Sequence, residues 1–162
     1  MAALIRERMS VRVPHEFVVF LIGMRVNQWW RPDLWLPVAL AMQRMLRELG
    51  ARPAAGLLGV ESGGLGNPTV SIQYWRSAEQ LMAYATDKTG EHFPAWAAFQ
   101  AKVAGTGAVG IWHETYVVRE YETIYHNMPR FGLGAVGELE PATGARAGAR
   151  ARLSASAPAT GG

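Results

Sequence analysis

The chain has 162 residues, of which 49% are hydrophobic, so it suits one compact domain with its own core. It contains no cysteine, which excludes disulfides, thiolate metal sites and a cysteine nucleophile, and its net charge of +3 with few lysines argues against a nucleic-acid groove. The longest apolar run, residues 17–26, is about half the length of a membrane helix and no secretion signal precedes it, so we expect a soluble cytoplasmic protein without membrane or nucleic-acid partners.

The first half of the chain predicts a strand, a helix and a hairpin. After a polar arm over residues 1–15, the segment 16–27 is apolar on both faces of a strand, which is typical of a central strand covered on two sides. Asp33 is a candidate N-cap and Gly50 a C-cap of an amphipathic helix. The glycine-rich segment 63–68 then joins two short strands. These strands are predicted at residues 57–62 and 69–76.

The second half predicts two short helices and a further apolar strand. Residues 77–80 have the spacing of a capping box, and Pro94 is a favourable first residue for the next helix. A strand follows at 110–118, and a second, shorter one at 121–126. From residue 137 onward small and polar residues predominate, which predicts disorder. The predicted organisation is an arm (1–15), a ferredoxin-like domain (16–136) and a disordered tail (137–162).

The order β-α-β-β-α-β predicts a ferredoxin-like α+β fold, in which helices cover one face of a four-stranded antiparallel sheet. The other face stays open. Because the first and last strands of this pattern are apolar on both faces, that open face is expected to be an association surface. The sequence therefore predicts a homodimer whose sheets pack together, a dimeric α+β barrel that encloses a cavity.

The strand at residues 110–118 carries the main candidates for chemistry. Alternation by two places His113 on one face, and Trp112, Glu114 and Tyr116 on the other, with apolar neighbours on both. We expect both faces to be buried. An imidazole can accept a proton or bind a metal near neutral pH, although a histidine held by one backbone partner is an equal alternative. Which face lines the cavity stays open.

Glu114 cannot orient His113 from the opposite face of the strand. We expect it to pair with Arg25 or Arg76, and Tyr116 and Trp112 are as well explained by packing. Arg25 stands at the end of an apolar strand and is a candidate for binding a substrate carboxylate, or for a salt bridge.

Further candidates lie outside that strand. Asn27 lies at the end of the first strand, and Trp29 and Trp30 are predicted to form a lid or a dimer contact. Asn127 and Arg130 belong to a loop that could close over the site. No spacing such as HExxH and no glycine-rich phosphate loop is present, so no metal site is predicted.

Several segments resemble the monooxygenase-like family of unknown function within the dimeric α+β barrel superfamily. They span about Phe17 to Leu133 and read FVVFLIGMRVNQWWRP, IQYWRS, HFPAW, GIWHETY and NMPRFGL. The superfamily includes cofactor-independent antibiotic-biosynthesis monooxygenases, haem-degrading monooxygenases, and haem-containing aldoxime dehydratases and chlorite dismutases. Asn27, Trp75 and His92 are similar in type and order to an Asn, Trp and His triad of the haem degraders, and the resemblance places His92 at the cavity mouth.

The favoured hypothesis is a monooxygenase-like enzyme that oxidises a small aromatic or polyketide-like substrate without a required cofactor. Alternatives are a haem enzyme of the same fold, with His113 or His92 as axial ligand, and a non-catalytic small-molecule binder. The predicted catalytic residues are His113, Glu114, Arg25 and Asn27. The predicted substrate-binding residues are Trp29, Trp30, Trp75, His92, Trp112, Tyr116, Asn127 and Arg130.

Overall fold

The computed structural model describes residues 3–63 and 66–156, and its main element is a four-stranded antiparallel sheet. The strands are β1 (Met9–Arg12), β2 (Phe17–Val26), β3 (Leu57–Gly63), β4 (Val70–Trp75), β5 (Val109–Val118) and β6 (Glu138–Pro141). The α-helices are α1 (Pro32–Ala51), α2 (Ala78–Thr86), α3 (His92–Lys102), α4 (Leu133–Val136) and α5 (Ala149–Ser156). None of the helices in these ranges is long and apolar enough to cross a bilayer.

The sheet has the order β3-β4-β2-β5, and the chain runs through it as β2-α1-β3-β4-α2-α3-β5. This is the predicted ferredoxin-like α+β arrangement, with the second helix split in two. Strand β2 is central and pairs with β4 on one side and β5 on the other. The apolar sequence of β2 is explained by this position, because both of its edges are paired with neighbouring strands and its two ends are buried.

Local sequence signals set the helix ends to within one or two residues. Helix α1 begins at Pro32, and Asp33 lies in its first turn, where it pairs with Arg31 at 2.7 Å instead of capping the helix. The predicted cap of α2 is confirmed, since the Ser77 hydroxyl accepts a hydrogen bond from the Gln80 backbone N–H at 3.2 Å. Helix α3 begins at His92, two residues before the predicted Pro94.

One face of the sheet, the helix-side face, is covered by α1, α2 and α3. At one end of β2, Val18 and Trp75 pack with Leu49, Leu81 and Tyr84 of the helices. At the other end a second core cluster joins helices α1 and α3 to the start of β5. Its buried members are Leu34, Phe99, Val103, Ala108 and Val109. The middle of the sheet therefore lies between two packed ends.

The opposite face is only partly covered within one chain. Leu133 packs against Phe17 near the end where β5 finishes, and Val11 of the arm joins the same cluster. Further along the same face Leu21, which pairs with Ile72, is only half-buried. We call this second face the open face.

Strand β5 is an edge strand, and this corrects the expectation that both of its faces are buried. His113 to Val117 are exposed in the single chain, because neither the helices nor any other element of the described residues covers this part of the edge. The strand predicted at 121–126 is also absent from the described structure. Only Tyr125 forms an isolated bridge there, to Met9.

The tail differs from the predicted disorder over the residues that the structure describes. Strand β6 pairs with β1 of the arm, with Met9 opposite Pro141, and α5 follows. Leu139 packs beside Val11, so one apolar side chain and a backbone ladder hold the segment where composition alone predicted none. Residues 157–162 of the predicted tail lie outside the described residues.

Candidate functional site

His113 lies on the helix-side face of β5, which resolves the orientation that the sequence left open. It pairs with Ile22 of β2, and side chains of paired residues lie on the same face of a sheet. The imidazole is exposed, and its centroid is 5.5 Å from the Phe20 ring at an interplanar angle of 39°. One basic group thus stands beside an aromatic ring on a partly uncovered apolar surface.

Glu114 and Tyr116 lie together on the open face. The Tyr116 hydroxyl donates a 2.6 Å hydrogen bond to Oε2 of Glu114, and this bond together with the negative charge raises the pKa of Tyr116. The sequence predicted that Glu114 would pair with Arg25 or Arg76, but no ion pair joins it to either arginine within the described residues. A carboxylate and a phenol two residues apart on a strand satisfy each other.

Trp112 also lies on the open face, and its indole crosses Gly23 of the neighbouring strand. A Cβ atom on Gly23 would lie 2.7 Å from the indole nitrogen and would overlap the carbonyl oxygen of Thr69. The Trp112 Nε1 atom is buried and has no hydrogen-bond partner among the described residues. The indole thus packs against bare backbone, which fits the packing alternative for this residue.

The next two predicted catalytic residues, Arg25 and Asn27, lie at the end of β2 and have different surroundings. Arg25 is exposed on the open face, opposite Gly110 of β5. The Asn27 side chain donates from Nδ2 to the carbonyl oxygen of Gly107 at 3.0 Å, and its backbone N–H donates to Ala108 at 2.9 Å. Asn27 therefore fastens the end of β2 to the start of β5.

The two tryptophans after β2 lie at the surface beside α1. The Trp29 ring meets Trp35 edge-on at 5.8 Å, and its carbonyl oxygen accepts a hydrogen bond from the Trp35 indole at 3.2 Å. Trp30 is 74% exposed. This exposure is compatible with either a lid or a contact with another molecule.

Trp75 lies in the core and is removed from the candidate site. It is 1% exposed, and its indole donates to Oε1 of Gln73 at 3.0 Å. Sequence reasoning missed this buried glutamine, although alternation along β4 places Gln73 on the same face as Trp75. The triad suggested by the resemblance to haem degraders is thereby incomplete, because this indole is not available to face a ligand.

His92 is the first residue of α3 and is half-buried. Its ring lies 6.1 Å from the Tyr84 ring, and Nδ1 is buried without a partner among the described residues. Burial is the main cause that raises the pKa of Tyr84 well above its ordinary value. The hydrogen bond to Glu48 and the negative charge of Glu48 raise it further. The phenol beside His92 therefore stays protonated.

Asn127 and Arg130 belong to the segment that leads into α4. Asn127 adopts a left-handed conformation with φ of 54°, a region that asparagine tolerates better than most residues. Arg130 donates from Nη1 to the carbonyl oxygens of Gly134 at 3.2 Å and Gly137 at 3.3 Å. In this arrangement the arginine closes the α4 turn on itself.

The predicted site residues are thus distributed over several places. His113 lies on the helix-side face, whereas Arg25, Trp112, Glu114 and Tyr116 share the open face. No cluster of three metal-ligating side chains occurs within residues 3–63 and 66–156. The exposed imidazole of His113 beside Phe20 is the arrangement best suited to act on a bound molecule.

Comparison with solved structures returns proteins of similar topology at low identity. SnoaB, a cofactor-independent oxygenase from Streptomyces nogalater, is 14% identical over 66% of this chain and 97% of its own, with a TM-score of 0.46. A dimeric ferredoxin-like protein of unknown function from Thermobifida fusca is 17% identical over 66% and 95%, with a TM-score of 0.42. The haem degrader MhuD from Mycobacterium tuberculosis, with two haems bound in its active site, is 22% identical over 62% and 94%, with a TM-score of 0.29.

Comparison with curated proteins gives no significant match. A family model described as monooxygenase af470-like matches residues 17–133, which include β2 to β5 and the helices that connect them. The matched segment covers more than half of the chain and almost coincides with the span of the resemblance in sequence. The chain therefore belongs to the monooxygenase af470-like family.

Proposed function

We propose that the protein is a monooxygenase-like enzyme that oxidises a small aromatic or polyketide-like substrate, with His113 as the catalytic base. The observation that carries the proposal is the exposed imidazole on the helix-side face, 5.5 Å from the Phe20 ring. Membership of a monooxygenase-like family supports the reaction class. The residue roles are our inference from geometry.

The surface around His113 favours a flat, mostly apolar substrate. Phe20, Ile22 and Met24 alternate along the same face of β2, and Ile111 precedes His113 on β5. Aromatic rings attract flat π-systems in offset or edge-on arrangements. Thr115, also on this face, adds a hydroxyl that can accept or donate one hydrogen bond. This surface would hold an aromatic ring next to His113, the proposed proton acceptor.

In the proposed reaction His113 removes a proton from a CH₂ group that is acidified by a neighbouring carbonyl or phenol ring. Neutral imidazole can accept this proton near neutral pH. The resulting carbanion transfers electrons to dioxygen. One oxygen atom forms the new C=O bond, and the other leaves as water with the two hydrogens of the CH₂ group. The substrate carbon is oxidised, dioxygen is reduced, and no other electron donor is required.

Haem was the alternative cofactor, and its fit can be judged from the two histidines. His113 presents an exposed imidazole that could hold the iron of a haem, whereas the His92 ring is half-buried and lies beside Tyr84. When bound, haem would supply dioxygen activation. His113 would hold the haem in this alternative and act as the base in the cofactor-independent reaction. The two alternatives therefore use the same site, and an absorption spectrum distinguishes them.

The test is oxygen consumption by the full chain with a panel of hydroxylated aromatic ketones, comparing wild type with His113→Ala. We expect a loss of about 100-fold or more in the rate, because a positioned general base contributes on this scale. His126→Ala is the matched control, since His126 is an exposed histidine outside β5. It should leave the rate within about twofold of wild type.

Equal rates for His113→Ala and wild type would refute the assignment of the base. An absorption spectrum after addition of haem is recorded on the same samples. A Soret band that shifts in His113→Ala but not in His126→Ala would replace the cofactor-independent reaction by the haem alternative.

A further inference from the structure

A polar cavity lies between the N-terminal arm and the C-terminal helix α5. It has a volume of about 210 Å³. All of its lining residues except Tyr121 and Thr123 fall outside the segment 17–133 that matches the family. Since a water molecule occupies about 30 Å³ in the liquid, the cavity has room for a small organic ion. The cavity is therefore formed mainly by the segments before and after the family match.

The lining carries three arginines and no carboxylate. These are Arg12 of β1, Arg146 before α5, and Arg152 within α5. Two carboxylates lie behind them, since Glu140 pairs with Arg12 and Arg146, and Glu122 pairs with Arg152. The three arginines therefore share two carboxylates, which leaves this set of five side chains with a net charge of +1.

Arg152 supplies charge to the cavity, and each of its three guanidinium nitrogens already has a partner. It is 5% exposed, and its Nε donates to Oε1 of Glu122 at 2.7 Å. Its Nη1 donates to the carbonyl oxygens of Arg146 at 3.0 Å and Ala147 at 2.7 Å. A buried guanidinium that is bonded in this way holds α5 in place.

Arg146, in contrast, keeps one donor unused. Its Nη2 donates to the hydroxyl of Ser10 at 3.2 Å and its Nη1 pairs with Glu140, but Nε is buried and has no partner among the described residues. Leaving a buried charged donor unbonded is costly, so such a group points to a missing acceptor.

Two hydroxyls on the wall can add donors. The Ser10 hydroxyl, 1% exposed, accepts from Arg146, and the Thr123 hydroxyl accepts from the Val11 backbone N–H at 2.8 Å. A hydroxyl carries one proton besides its acceptor lone pairs, and no acceptor for either proton occurs among the hydrogen bonds of the described residues. Both can therefore donate to an anion.

We infer that this cavity binds a small oxyanion, a carboxylate or phosphate group, through the guanidinium of Arg146 and the hydroxyls of Ser10 and Thr123. A guanidinium matches the oxygens of either group better than other side chains do. The anion would neutralise the remaining positive charge. It would also connect the arm, the segment after β5 and the start of α5, so its binding should stabilise the docking of the tail.

The experiment titrates the full chain with inorganic phosphate and, separately, with acetate, at constant ionic strength so that general screening does not change. Binding is followed by calorimetry. Arg146→Gln should weaken binding by about tenfold or more, because a charge-assisted donor is lost. Arg150→Gln is the matched control, since Arg150 is exposed on α5 and the substitution removes the same charge. It should keep the affinity within about twofold.

The stronger ligand identifies the source of the oxyanion, phosphate indicating a phosphorylated compound and acetate a carboxylic acid. A second measurement uses wild type alone, so that it does not depend on the folding of a variant. An arginine-directed dicarbonyl reagent should modify Arg146 more slowly when the anion is present, while Arg150 reacts at the same rate. Absence of saturable binding by both anions, or equal weakening by Arg150→Gln, would overturn the inference.

Discussion

Gly23 of β2 has no side chain, and this allows both the backbone of Thr69 and the indole of Trp112 to approach it closely. Its place on the open face is filled by the indole nitrogen, and the carbonyl oxygen of Thr69 lies where a Cβ would project. Glycine is required here for space and not for an unusual backbone angle. On the paired strand, a Cβ atom added to Gly110 would have its nearest neighbour, Cβ of Arg25, at 3.8 Å.

We therefore predict opposite outcomes for two identical substitutions. Gly23→Ala should lower the free energy of unfolding by about 1–3 kcal/mol, because overpacking forces backbone or ring to move. Gly110→Ala, its matched control, should change it by no more than about 0.5 kcal/mol. Urea denaturation of both variants provides the measurement. Similar stabilities would show that the indole and Thr69 move aside without cost.

Residue placement along β5 could be predicted only in part from the sequence. The period of a strand correctly separates His113 from Glu114, Trp112 and Tyr116. Which of the two sets faces the helices depends on how β5 pairs with β2. The sequence of β5 alone does not contain this information. The burial of Trp75 depends in the same way on the helices that cover β4.

At the scale of elements, Glu48 joins the three helices of the helix-side face. From α1 its carboxylate accepts hydrogen bonds from the Tyr84 hydroxyl of α2 at 3.0 Å and from the Glu91 backbone N–H before α3 at 3.0 Å. It also accepts from Arg52 at 2.9 Å. These bonds, the Glu91 amide first, outweigh burial and lower the pKa of Glu48.

A carboxyl group with a lowered pKa in the folded state stabilises the fold above its unfolded pKa, and this contribution is lost as the pH falls through the folded value. Glu48→Gln should therefore lower the free energy of unfolding at pH 7 by about 1–2 kcal/mol. The difference from wild type should shrink as the pH falls below about 4, near the ordinary pKa of glutamate.

Thermal unfolding from pH 7 to pH 3 tests this expectation. Glu120→Gln is the control, since Glu120 is exposed and forms no ion pair within the described residues. A Glu48→Gln deficit that stays constant across the pH range would show that the carboxylate charge is not the stabilising feature.

The elements themselves were predicted to different degrees. Strands β2 and β5 and helices α1 to α3 have strong periodicity or caps, and each was located to within a few residues. Strands β1 and β6 have four residues each and pair mainly through backbone hydrogen bonds, which no side-chain pattern signals. Pairing of two chain segments more than a hundred residues apart is therefore invisible to local reasoning.

For the whole molecule, the uncovered part of the open face supports the homodimer that the sequence predicted. Leu21, Ile72 and Trp112 are half-buried there, and Tyr116 is 50% exposed. An apolar surface that is bordered by charged side chains, here Arg25 and Glu114, is typical of an interface. Leu133 and its neighbours already cover the other part of this face, so the contact would be narrower than the full sheet.

We expect light scattering to give twice the mass of one chain for wild type. Ile72→Arg should shift the mass toward one chain, because a bulky charged side chain would have to be desolvated in the contact, even with Glu61 opposite it on β3. Met82→Arg, on the exposed surface of α2, should remain dimeric. A wild-type protein that has the mass of one chain, or an Ile72→Arg variant that keeps the wild-type mass, would contradict this interface.

Strand β5 ends the sheet with an unpaired row of backbone N–H and C=O groups, beside exposed Tyr116 and Val117. Such an edge is a template for pairing with the edges of other molecules, and natural sheets often deter it with ionisable side chains. His113 and Glu114 occupy the middle of this edge. We expect both side chains to deter such pairing, so an inactive His113→Ala variant is informative only while it remains dispersed in solution.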